Sequence, residues 1–469
     1  MHWIRTLVPG IGLMIACLAC GCSLTPVYER PVSNLPAQWS DGTHHQQRGE
    51  VGAELPTQVD WRSFVVDEEL SHVIAIALQN NLDLRRSVLN VAAARAEYRI
   101  QGAEQIPSLQ VEAVGSRQRS LDMPGVQSGY HVGVGLPAFE LDLFGRARSL
   151  SNAALHAYLA TDEARESARI SLIADVIEAY LRRDGAQRRY AMGNQILDAR
   201  QLSLELIQAR RDRGLANMLE YQEAAGLVYQ AEVELEQIDR QFRQATNALG
   251  LLIGTPVSPR DLPEMPGTGA AMLADIAAGA PSSLLASRPD IRAAEHRLIG
   301  MNANIGAARA AFFPRIALTG NIGAASPELS ELLGSGKRVW SFAPTLTLPI
   351  FDGGANRANL ALARVRNDVA VAEYERAVQV AFMEVSDALA TIDTLGRELH
   401  AQQAAAQSSA EARRLAGLRY ARGFDDHLRF LDAQRVDAAS QMALIEVEVQ
   451  RQLALAGLFR SLGGSWLHG

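Results

Sequence analysis

Two hydrophobic periods alternate along this chain, and the whole alternation occurs twice. A period of two, which puts successive side chains on opposite faces of an extended strand, marks four short segments. Ser108 to Ser116 sets Leu109, Val111 and Ala113 against Gln110 and Glu112, and Arg315 to Ile322 sets Ile316, Leu318 and Ile322 against Thr319 and Asn321. Arg338 to Ile350 sets Trp340, Phe342, Leu346, Leu348 and Ile350 against Ser341, Thr345 and Thr347, while His131 to Leu143 keeps the pattern through interrupting glycines. Each has about the 9–11 residues of a tilted membrane strand, apolar outward and polar inward. A soluble hairpin packed on a helix fits the same alternation. The order predicts two hairpins with tips around Asp122 to Gln127 and Pro327 to Gly336. Four strands cannot close a barrel, so their edges predict pairing with further copies of the chain.

The second period is helical. No proline occurs from about Arg146 to Arg213, nor from about Ala355 to Gly423, so each stretch can run as a helix of roughly 100 Å at 1.5 Å per residue. Val371, Tyr374, Val378, Phe382, Val385, Leu389 and Ile392 step by threes and fours, as do Leu428, Leu431, Ala438, Met442, Ile445, Val449, Ala456 and Phe459. Such seams predict antiparallel coiled-coil pairs, and the alanines beside them allow a second close neighbour. An isolated coiled-coil spacer would show the same seams.

The duplication is visible in the motifs. FELDLFGRARS (Phe139 to Ser149) and LPIFDGGANRAN (Leu348 to Asn359) each precede a long helix, and RDRGLANMLEYQEA (Arg211 to Ala224) matches YARGFDDHLRFLDA (Tyr420 to Ala433). The stretch Leu78 to Tyr98 aligns more loosely with Leu285 to Ile305. The organisation read from these is a first repeat at 61–255, with a β-hairpin at 107–143 and a long helix pair at 146–252. A connector at 256–288 leads to a second repeat at 289–460, with a hairpin at 314–351 and a helix pair at 355–460, then a tail at 461–469.

The N-terminus adds an address. Arg5 precedes an apolar run, Leu7 to Leu18, too short to span a bilayer and typical of an export signal. It ends in ACGCSL, where small residues stand before Cys22 as a lipoprotein signal peptidase requires. The expectation is a signal peptide at 1–21, acylation of Cys22 and a lipid-anchored linker at 22–60. Cys17 and Cys20 leave with the signal, so no thiol pair remains for a disulfide. Of 469 residues 48% are hydrophobic but only 6% aromatic, which favours Ala/Leu-rich helices over sandwich cores. A formal charge of -7 without a basic block argues against nucleic acid.

Catalytic and metal chemistry find little support. GSGK at Gly334 to Lys337 resembles a phosphate-binding loop, but Glu331 stands where the first glycine belongs and Arg338 replaces the Ser/Thr. There is no G-x-S-x-G or H-E-x-x-H, and the ten histidines show no ligand spacing. Asp425, Asp426 and His427 form the one cluster that could serve an acid/base or metal role. No cofactor is expected.

The ordered set GCSLTPVYERP, FELDLFG, FFPRIALTG, LPIFDGG, YARGFDDHLRFLDAQR and SLGGSW resembles the TolC-type outer membrane factors, in particular the NodT-like lipoprotein branch. The likeness covers the chain from Cys22 onward. It implies a mainly α protein with membrane β structure, a homotrimer in which three protomers of four strands share one 12-stranded barrel and a 12-helix periplasmic tube. An equatorial belt is implied around the tube, from about Asp60 to Asn90, Pro256 to Arg288 and the C-terminal tail. It implies an outer membrane exit duct for drugs or toxic compounds, joined by a periplasmic adaptor to an inner membrane transporter of the resistance-nodulation-division type. A duct for type I protein secretion, or a coiled-coil or enzymatic periplasmic lipoprotein, are the alternatives. The last two should become soluble without Cys22, whereas a duct should still need detergent.

Site residues follow from the resemblance. Leu428, Asp432 and Arg435 match the family's periplasmic constriction: an apolar ring, an acidic ring and a basic tether between helices. The repeat alignment adds Leu219 and Glu223, while Gly226 stands opposite Arg435. The turns Arg213-Gly214-Leu215 and Arg422-Gly423-Phe424 match the tips that meet the adaptor. Each glycine also suits a simple helix cap.

Overall fold

The structure, a computed structural model, describes residues 23–32, 36, 61–119, 125–254, 272–276 and 284–464. Helices α1 (Trp61–Phe64), α2 (Glu68–Asn80) and α3 (Leu82–Ala103) lead into strands β1 (Gln110–Gln118) and β2 (Gln127–Leu141). The long α4 (Arg146–Asp212) and α5 (Met218–Ile253) follow, then α6 (Leu284–Ser287) and α7 (Pro289–Ala310). Strands β3 (Arg315–Ser326) and β4 (Arg338–Thr347), then α8 (Ala355–Ala421) and α9 (His427–Ser461), repeat the sequence of elements. The expected signal peptide with Cys22, residues 120–124 at the expected first tip, and most of the expected linker, connector and tail lie outside the described residues.

The chain forms two compact units. One combines Met1–Ser33, Leu89–Glu163 and Arg292–Ala377; the other combines Asn34–Val88, Ala164–Ile291 and Val378–Gly469. In the first, the strands make one antiparallel sheet in the order β1-β2-β3-β4. Directly paired residues share a face, so the register sorts most of the sheet. Val111, Ala113, Val132, Val134, Ile316, Leu318, Ile322, Trp340, Phe342 and Leu346 fall on one side. Gln110, Glu112, His131, Thr319, Asn321, Ser341 and Thr345 fall on the other. Boundaries of all four strands differ from the alternation, with β1 shifted to Gln110–Gln118 and β3 running on to Ser326. Strand β2 begins at Gln127 and absorbs a register shift between Leu136 and Phe139, and β4 stops at Thr347, before Leu348 and Ile350. Thr347 pairs with Arg315, the first residue of β3, so the ladder offers β4 no partner beyond it.

The same device starts both long helices. Asp142 accepts the Arg148 amide at 2.8 Å after Gly145, and Asp352 accepts the amides of Gly354 and Asn356 at 2.9 and 2.8 Å. FELDLFG and LPIFDGG are therefore strand-to-helix corners. Neither helix contains proline, and alanine, arginine, glutamate and leucine sustain each over 67 residues.

Residues 24–30 lie as an extended strap along α7. Arg309 donates to the Leu24 carbonyl at 3.1 Å, Asn302 to that of Pro26 at 2.8 Å, and Arg30 grips Glu295 through two bonds of 2.7 Å. Six steps of extended chain span about 20 Å and fourteen helical residues about 21 Å, so strap and helix keep pace. Gly306 is required beneath it, since a Cβ there would sit 2.2 Å from Thr25 Oγ1.

The second unit holds a conventional core. Phe64 stacks on Phe459 with centroids 5.0 Å apart, beside fully buried Leu70 and Ile74. Buried Arg288 is satisfied by Asp290, Glu384 and the Ser461 carbonyl, so its charge is paired rather than stranded. The α8 seam buries Tyr374, Val378, Val385 and Leu389, but Ala381 rather than Phe382 fills the position between. No described helix is long and apolar enough to cross a membrane.

Candidate functional site

The two helical turns carry most of the residues singled out in the sequence. Their backbones close in the same way. In the first, Gly214 takes φ 71, Leu215 donates to the Arg210 carbonyl at 2.8 Å and Gly214 to that of Arg211 at 2.8 Å. In the second, Gly423 takes φ 74, Phe424 donates to Arg419 at 2.9 Å and Gly423 to Tyr420 at 3.0 Å. This is the left-handed C′ closure in which glycine avoids a Cβ penalty. The outgoing helices are capped alike: Asn217 accepts the Glu220 amide at 2.9 Å and Asp426 that of Arg429 at 3.0 Å. Leu215 and Phe424 remain 66% and 69% exposed, so neither is buried as a staple residue would be.

Side chains break the symmetry. Asp425 takes a two-pronged bond from Arg419, at 2.6 and 2.9 Å, where the first turn has Ala216. The Arg419 fork holds the Asp425 carboxyl below the usual aspartate range. Arg211 instead lies over the Tyr221 ring at 4.4 Å. Asp425, Asp426 and His427 do not act as one cluster: Asp425 serves Arg419, Asp426 is the cap, and His427 Nε2 meets Ser203 Oγ at 3.2 Å. No group of three or more metal-binding side chains occurs among the described residues.

Asp432 and Arg435 do share a face with Leu428. Arg435 donates to Asp432 at 2.7 Å on the same helix, and both side chains are 61% exposed. Within one protomer the arginine thus pairs along α9 and ties no second helix. Leu219 and Leu428 are exposed, as are Glu223 and Gly226. The candidate gate residues are thus exposed on the single protomer.

Three contacts had no signal in the sequence. Asp437, 8% exposed, accepts from Arg413 at 2.6 Å and from Ser409 at 3.3 Å, joining α8 to α9. The matching position in the first repeat is buried Val228. Near the tips Arg210 donates to the Tyr420 hydroxyl at 2.5 Å, and Tyr420 stacks on Phe430 at 5.8 Å. With Ser203 and His427 this joins α4 to both helices of the second hairpin. Burial, helped by the Arg210 charge, pushes the His427 imidazole below its usual range, so it is neutral near pH 7.

The outer membrane efflux protein family model matches residues 73–255 and 280–464, one match per repeat. Outer membrane protein OprJ of Pseudomonas aeruginosa is 52% identical over 467 residues, covering 98% of this chain and 96% of OprJ. Solvent efflux pump outer membrane protein SrpC of Pseudomonas putida is 42% identical over 452 residues, covering 95% of this chain and 96% of SrpC. Among solved structures, the open state of the Neisseria gonorrhoeae MtrE outer membrane channel superposes with a TM-score of 0.86 at 38% identity, covering 94% of this chain and 98% of that one.

Proposed function

The chain belongs to the outer membrane efflux protein family, and we propose that it is the exit duct of a tripartite efflux pump, opened at its periplasmic tips by an adaptor. The observation that carries this is the four-stranded sheet with two free edges, β1 and β4, apolar on one face and polar on the other. Three such sheets close a barrel of twelve strands, while two would give eight, whose interior side chains fill. Helix α3 supports assembly as well, since it buries none of its residues within the protomer and exposes Leu82, Val88, Leu89 and Ile100.

The mature chain is anchored through acylated Cys22, with the strap of residues 24–30 leading from it. Leu215 and Phe424, with Arg213, Gly214, Arg422 and Gly423 shaping the turns, form the adaptor contacts. Leu428, Asp432 and Arg435, with Leu219 and Glu223, form the closed aperture, and the inner membrane partner is a resistance-nodulation-division transporter. A Cys22→Ser variant tests the reading. It should lose palmitate labelling yet still require detergent, sediment as a trimer and conduct ions in planar bilayers. A soluble or monomeric product would end it.

A further inference from the structure

Both free edges of the sheet carry an arginine on the mainly apolar face, and both lie at the loop end, where Ser128 and Ser326 share that face. Arg117 pairs with Ser128 next to the end of β1, in the row of Val111, Ala113 and Gly115. Arg338 opens β4 opposite Ala324, in the row of Trp340, Phe342 and Leu346. Both are exposed, and among the described residues neither makes an ion pair. Lys337, one residue away, differs: it is already paired with Glu331 at 2.9 Å.

Height follows from the strand. From Leu346 to Arg338 the chain climbs eight residues, about 26 Å along the strand and about 20 Å along the barrel axis at a tilt of about 40°. That is close to the apolar band of an outer membrane barrel, about 25 Å tall, so Arg338 reaches the outer headgroup level. Tyr130, whose ring packs 3.3 Å from the Cβ position of Gly115, and Trp340 are aromatic residues of the same face, suited to a membrane interface. Closure brings the two edges together. Strand β1 runs toward the loops and β4 away from them, so β4 of one protomer continues the antiparallel order against β1 of the next. Each seam then gathers Arg338 from one copy and Arg117 from its neighbour beneath the loops.

We propose that each seam of the trimer binds a phosphorylated glycolipid of the outer leaflet, its phosphate held by Arg117 and Arg338 and its acyl chains against the apolar rows below. Guanidinium forks bond phosphate oxygens in pairs, and a cation facing hydrocarbon is tolerated at that height when an anionic headgroup meets it. Glu328 and Glu331 of the β3–β4 loop are the described acidic groups on that side, and Glu331 is held by Lys337. The inference rests on the trimeric barrel reading.

Native mass spectrometry of the detergent-purified full-length protein, titrated with bisphosphorylated lipid A and with its dephosphorylated form, tests it. Wild type should appear as a trimer retaining about one phosphorylated lipid per seam. Arg117→Gln with Arg338→Gln should lower retention about tenfold, the double Lys variant should lie between, and Lys337→Gln should change little. Dephosphorylated lipid should not be retained by any form. A trimer in which the double Gln variant keeps its lipid, or the phosphate-free lipid binds as well, overturns the inference and leaves the duct intact. Absence of a trimer removes the seam and the duct together.

Discussion

The two helical turns share the same glycine closure and differ in what braces it. Gly214 and Gly423 close their helices through matching pairs of amide bonds, yet only the second turn has an Arg419–Asp425 fork, and only the second hairpin has the buried Asp437–Arg413 link. At the matching positions stand Ala216 and Val228. Duplication preserved the geometry that glycine dictates, and the charges diverged because side chains on a finished turn are free to change. The second hairpin thus adds to its packing charged links that the first lacks, and charge can be released.

The strongest way to break this contrast is at Arg435. Arg435→Glu should replace attraction around the closed ring by repulsion, raising adaptor-free conductance roughly tenfold or more in planar bilayers. Gly226→Arg, which gives the first hairpin what it lacks, should instead lower it. No change in either would place the constriction elsewhere. The tips come next: Phe424→Ser should weaken adaptor binding by about 1.5–3 kcal/mol and Leu215→Ser by less, because the ring has more apolar area to bury. Surface plasmon resonance giving equal losses would mean that the turns dock equivalently.

Asp437→Val copies the first hairpin into the second. Arg413 is half exposed and can return to water, so the cost should be modest, about 1–2 kcal/mol, read as faster amide exchange in the facing stretches of α8 and α9 with α4 and α5 unchanged. The smallest effect concerns pH. The Asp425 carboxyl sits below its ordinary value of 3.8, so the clamp is fully present above that value and is lost as pH falls through the lowered one. Amide exchange at Phe424 should therefore accelerate relative to Leu215 in acid, and Asp425→Ala should abolish the difference. Parallel behaviour of both turns in the wild type would show that the fork does not brace the tip.

Much of the fold is legible from local pattern. Alternation sorted Val111 from Glu112 and Trp340 from Ser341, because a strand's faces are set by a period that needs no partner. Proline-free runs foretold both 67-residue helices, and the paired glycines foretold both turns. The site was legible only in outline. Leu428, Asp432 and Arg435 share a face by helical spacing, but spacing could not say that Arg435 would bond Asp432 on its own helix. The Ser203–His427, Arg210–Tyr420 and Asp437–Arg413 contacts left no trace, the first two because their partners lie more than 200 residues apart.

The sequence by itself determined the periods and the turns, each of which depends on residues within a few positions of one another, and their recurrence shows the duplication. Only the tertiary structure decided that β2 pairs with β3, 190 residues apart at His131 and Asn321, merging two hairpins into one sheet with arginines on both free edges. It alone decided which charges are buried and paired. The physical reason is that alternation fixes which way a side chain points but not which strand lies beside it. Neighbours are chosen by burial and hydrogen bonding across the whole chain, where closing a long loop costs little more than closing a short one.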